Sequence, residues 1–190
     1  MIEKIIDLHH GVFGAVQRGL QDWLPGLLAR LVFAGVLLVY FLNSATKKLG
    51  DGVTGVFQVA DNAYFQILPT VVEQYGYDAS RIPFFPWDVI VYAGTWSEVL
   101  LPLLIVLGLF TRIASLGMMV FVAVQSYVDI AFHGVDAETV GAWFDRLPDA
   151  AILDQRALWM FVLVYLVIHG AGRVSIDFLL DRRRRPARAQ

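Results

Sequence analysis

The sequence predicts an all-α integral membrane protein, a four-helix bundle with an N-terminal amphipathic surface helix. Three observations carry this. Of 190 residues, 57% are hydrophobic and only 17% are charged, against about a quarter charged in soluble domains. The mean hydropathy is +0.60. Four apolar stretches are each long enough to cross about 30 Å of hydrocarbon, which takes roughly 20 helical residues. Residues 1–190 read as a single membrane domain with lipid as its first partner.

The N-terminal segment through Trp23 repeats apolar residues at Ile2, Ile5, Ile6, Val12, Phe13, Val16 and Leu20, which is helical spacing. Glu3 and Asp7, without a long apolar run, argue against a cleavable signal. The segment reads as a helix on the membrane surface anchored by Trp23, or as a cap over the bundle ends.

The first span is predicted at 24–45, with Pro25 in the first turn, where a missing N–H is tolerated. The second is predicted at 89–110, behind Trp87 at the interface. The third, 112–132, follows almost at once, so Leu109–Arg112 is read as a tight turn. The fourth is predicted at 157–178, continuing through Gly170. Between spans lie 46–88, with an apolar stretch from Val53 to Leu68 suited to a short helix, and the acidic 133–156. No internal repeat is evident.

The tail from Asp181 to Arg188 holds Arg182 to Arg185, and basic segments stay cytoplasmic. Both termini and the Arg112 turn are therefore expected inside an inner (plasma) membrane. The long connections, with Lys47 and Lys48 beside Asp51, are expected outside.

Ionisable groups inside a span cost roughly 2.5–3.5 kcal/mol each, so each needs a reason. Glu98 lies near the middle of the second span and Arg30 just inside the first. In one reading Glu98, with Gln125 and Tyr127 or Tyr40, lines an internal polar pocket for a proton or a ligand headgroup. In the other it is an anchor, paired with Arg30 or protonated by desolvation. Asp129 lies near the end of the third span, where solvation or Lys47 would explain it. His169 has no second intramembrane histidine beside it and reads as hydrogen-bonded or water-facing. The chain has no cysteine, which excludes thiolate metal sites and disulfides. No metal, haem or iron–sulfur site is expected, and no nucleic-acid partner.

Three motifs resemble the DoxX family. They are the opening Arg30-Leu-Val-Phe-Ala-Gly35 with the Lys47-Lys-Leu49 exit, the central Glu98 followed by Gly108-Leu-Phe-Thr-Arg112, and the closing Gly170-Ala-Gly-Arg-Val-Ser-Ile-Asp177. The resemblance implies a four-helix membrane protein linked to respiratory or redox complexes, since relatives include a subunit of thiosulfate:quinone oxidoreductase. It carries over Arg30, Glu98, Gly108, Thr111, Arg112, Gly172, Arg173, Ser175 and Asp177, with Arg112, Arg173 and Asp177 expected as a polar cluster fastening two helix ends. The function expected is a membrane subunit of a quinone-linked redox complex, Glu98 and Arg30 acting in catalysis and Trp96, Gln125, Tyr127 and Tyr40 contacting quinone. Electrons would come from a partner, because the chain shows no carrier of its own. Alternatives are a non-enzymatic anchor docking a periplasmic partner, or a small proton- or ion-coupled transporter. Other subunits or a homo-oligomer complete the assembly.

Overall fold

A computed structural model describes residues 2–55 and 57–184. Four helices are long and apolar enough to cross a membrane: Leu24–Thr46, Phe84–Leu107, Thr111–Ala131 and Ala151–His169. Each span packs on its neighbours in sequence, and the fourth closes back on the first. The shared core holds Phe33, Leu37, Phe41, Met118, Leu163 and Leu166. Only 22–28% of each span's most apolar window is buried within the chain. The remaining apolar surface therefore meets lipid, which removes it from water as a protein core would.

The helix ends follow from backbone chemistry. Pro25 opens the first span, as expected. The second span begins earlier than predicted, at a wide turn over Phe84–Asp88 that runs into the helix. It stops at Gly108, which adopts φ 69° and ψ 42°, a left-handed conformation that glycine takes without strain. The fourth span differs most from expectation. It starts at Ala151, because Arg156 is buried in the bundle rather than exposed in a loop. It ends at His169, because Gly170 and Gly172 both take positive φ. The chain then crosses the bundle end and starts a separate helix, Ile176–Arg184.

The surface helix covers Ile2–Leu20 and buries none of its residues in the chain. Its apolar face is thus free for the membrane interface. The 46–88 connection is not one helix. A turn at Gly52–Gly55 and helices Asp61–Ile67 and Pro69–Gln74 form a cap. The cap buries Ala63, Tyr64, Val71, Val72 and Ile82 against Val91 of the second span. A bridge between Leu49 and Val59 and a hydrogen bond from Ala60 N to Lys48 O at 2.8 Å tie it to the exit of the first span. The bundle thus has a Lys48 end, covered by the cap, and an Arg30 end, where the closing segment lies.

Candidate functional site

Glu98 is buried, and its partner is Lys48. The ammonium lies 2.7 Å from Oε1 and 2.9 Å from Oε2, and it also donates to Ser44 Oγ at 2.8 Å. Both side chains are about 95% buried, with relative exposures of 5% and 6%. Ser44 and Lys48 are four residues apart, so a helical exit places them on one face. Thr95, one turn before Glu98, is fully buried, and its hydroxyl has no partner among the described residues. Sequence reasoning placed Lys48 in water beside Asp51. The cap folded over it keeps it dry instead. The signal available was the Ser44–Lys48 spacing facing a lone intramembrane carboxylate.

Arg30 does not pair with Glu98, correcting that expectation. Its Nε donates to Ile105 O at 3.1 Å and Nη2 to Val106 O at 2.6 Å, while Nη1 reaches Ala171 O at 3.4 Å and Val174 O. Ile105 lies seven residues beyond Glu98, about 10 Å along the helix. The guanidinium fork instead binds carbonyls at the C-terminal end of the second span, where the helical ladder of i+4 donors runs out; Ile105 O also accepts from Gly108 N at 3.1 Å.

The three sequence motifs converge here. A Cβ built on Gly108 would stand 2.6 Å from Ser175 Cβ and 2.9 Å from the Arg30 guanidinium carbon. Only glycine fits between opening and closing motifs. One on Gly26 would stand 2.7 Å from the Ala171 backbone, so this small residue lets the closing segment approach the first span. Asp177 N donates to Gly108 O at 2.8 Å. The Asp177 carboxylate accepts from Phe110 N at 2.7 Å and Thr111 N at 2.9 Å. It thereby caps the third span, where the helix dipole also favours an anion.

The expected cluster of Arg112, Arg173 and Asp177 lies around these helix ends, but its members do not bond to one another. Arg173 pairs with Asp22 at the start of the first span. Arg112 lies along Gly170 and has no ion pair among the described residues.

A third polar group lies nearer the Lys48 end. Asp129 pairs with Arg156 at 2.6 Å, not with Lys47, and Arg156 also donates to Ser126 Oγ at 2.9 Å. The Arg156 guanidinium lies 6.0 Å from the Trp159 ring centre. Gln125 Nε2 donates to the Tyr40 hydroxyl at 3.0 Å, and Tyr40 stands 5.6 Å from Trp159 between ring centres. Gln125 and Tyr40 thus come together, but neither hydrogen-bonds Glu98 among the described residues. Tyr127 points away, 63% exposed and edge-on to Phe132, because a two-residue step turns a helix about 200° from Gln125. Trp96 differs from Glu98 by the same step and lies by Phe57 of the cap, 6.3 Å between ring centres. His169 Nδ1 donates to Tyr165 O, 3.2 Å away, and its ring stacks on Tyr165 at 4.3 Å. Among the described residues no set of three or more histidine and carboxylate side chains is placed to hold a metal ion.

Four apolar spans fastened by buried ion pairs and backbone-capping charges define a multi-pass α-helical membrane protein. The chain belongs to the DoxX family, whose family model matches residues 26–133, more than half its length. That match spans the opening and central motifs and stops before the closing one. No curated protein and no solved structure matches the chain.

Proposed function

We propose that this protein is the membrane subunit of a quinone-linked redox complex, and that its electrons are supplied by a partner. Membership of the DoxX family supports the general class. The observation that carries the division of labour is the Lys48–Glu98 pair. Both carboxylate oxygens are engaged by one ammonium in a site closed to water. A buried carboxylate held by an ammonium through both oxygens fastens the first span to the second. Glu98 and Arg30 are therefore assigned here to holding the bundle, and redox chemistry to the partner.

The quinone contact falls to Tyr40 and Gln125, with Trp159 alongside. Tyr40 is 43% exposed on the lipid-facing surface, where a membrane-soluble ring arrives. Arg182 and Arg183, the described part of the basic tail, share one end of the bundle with Arg112, while Asp136, Glu138, Asp145 and Asp149 lie at the other; residues 185–190 lie outside the described residues. This favours an inner-membrane protein with the Arg30 end in the cytoplasm.

The deciding experiment purifies the native assembly with wild-type protein, Glu98→Gln and Gln125→Leu. Quinone reduction per assembled complex should survive Glu98→Gln, with less complex recovered, and should fall in Gln125→Leu. Unimpaired assembly with lost turnover in Glu98→Gln would return Glu98 to the chemistry and overturn the proposal.

The anchor reading draws on Trp143 and Phe144, both exposed on the connection between the third and fourth spans, as a docking surface. If both substitutions leave turnover unchanged and only assembly responds, the anchor reading replaces the quinone site. The transporter reading has less support, because the bundle interior is filled by Phe33, Phe41, Met118 and Leu163.

A further inference from the structure

Two clefts of about 610 and 540 Å³ lie side by side at the Arg30 end and share Gly170, Gly172, Phe178 and Asp181. Their floor is backbone, because the two glycines present no side chain. Arg112 and Thr111 line one cleft, and Arg173 and Arg182 the other. The acids around them are already committed. Asp22 holds Arg173, Asp177 holds the Phe110 and Thr111 amides, and Asp181 has an interaction of its own. Two cations are left over, since neither Arg112 nor Arg182 has an ion pair among the described residues. The Thr111 hydroxyl, fully buried at the wall of the Arg112 cleft, also has no partner among them.

We infer that these joined clefts bind a phosphate-bearing headgroup, with Arg112 and Arg182 as its charged ligands. Guanidinium forks match phosphate oxygens in geometry as well as charge. The clefts sit where the first span begins and the fourth ends, which is headgroup depth for a protein of this class. Phe110 and Ile113, 60% and 73% exposed, carry apolar surface outward from the Arg112 cleft along the third span. An acyl chain would lie along that surface. The same phosphate chemistry could be met by an anionic phospholipid or by free inorganic phosphate, and the lipid-facing surface favours the phospholipid. This site uses no residue of the proposed quinone contact and stands apart from it.

The test uses the full chain in detergent, with native mass spectrometry reading retained phosphatidylglycerol, retained phosphatidylcholine and competition by inorganic phosphate. Wild-type protein should retain phosphatidylglycerol preferentially. Arg112→Gln combined with Arg182→Gln should weaken retention about thirtyfold, while Arg183→Gln, outside both clefts, should change it far less. Thermal unfolding run alongside establishes that the variants are folded, and Arg182→Gln alone, expected to weaken retention about fivefold, serves if the double variant unfolds. Displacement of the lipid by inorganic phosphate would identify the free anion as the ligand, and resistance to it the phospholipid. Equal retention of both lipids without phosphate binding would overturn the site, as would an equal loss in Arg183→Gln.

Discussion

Lys48 and Glu98, fifty positions apart in sequence, meet as a buried bidentate ion pair that joins the exit of the first span to the middle of the second. The same pair is roofed by the cap, since Ala60 N bonds to Lys48 O. Removing one partner strands the other charge, which costs about 3–5 kcal/mol, whereas removing both is often neutral. Glu98→Gln and Lys48→Met should each lower stability by about that amount, and the double variant Lys48→Met/Glu98→Leu should recover most of it. Chemical denaturation in detergent measures all three. A double variant as unstable as either single one would show that the two charges do not act as a unit.

Arg30 should tolerate no lysine. Its fork reaches carbonyls of the second span and of the closing segment at once, and an ammonium cannot span both sets. Arg30→Lys is expected to cost about 2 kcal/mol, the scale of a charge-assisted hydrogen bond lost. The same denaturation series measures it, and an unchanged midpoint would contradict the fork's role.

Asp177 caps the third span from outside that helix. Asp177→Ala should cost about 1 kcal/mol. Hydrogen exchange should rise first at the Phe110 and Thr111 amides, the two donors it holds. Protection unchanged at those amides would remove the cap from the account.

Tyr64 links the cap to the second span through a 2.9 Å hydrogen bond to Asp88. Burial, reinforced by the neighbouring Asp88 carboxylate, holds its phenol well above the ordinary tyrosine range. A proton acid whose folded pKa is raised stabilises the fold fully below the unfolded value, about 10, and loses that contribution as pH rises beyond it. Stability should therefore fall on alkaline titration, and Tyr64→Phe should flatten that part of the fall. An identical alkaline profile in Tyr64→Phe would assign the loss to other groups.

The absence of cysteine makes sidedness directly measurable. In intact cells, Asp145→Cys should react with an impermeant thiol reagent, and Arg183→Cys only after the membrane is opened. The reverse pattern would invert the proposed orientation.

The sequence by itself determined that the chain dissolves in lipid, where its spans lie to within a few residues at most of their ends, and that Arg30, Glu98 and the glycine-bearing motifs are the unusual positions. Those are properties of composition, hydrophobic length and local backbone preference, all readable along the chain. The fourth span starts before the predicted 157 because Asp154, Gln155 and Arg156 look like loop residues until the bundle buries Arg156 against Asp129. It ends before the predicted 178 because Gly170 and Gly172 take positive φ. Only the tertiary structure decided which charge meets which: Lys48 rather than Arg30 for Glu98, and Arg156 rather than Lys47 for Asp129. The reason is physical. Charge pairing depends on how helices are rotated and on what covers their ends, and the fold that sets both brings these two pairs together from 50 and 27 positions apart.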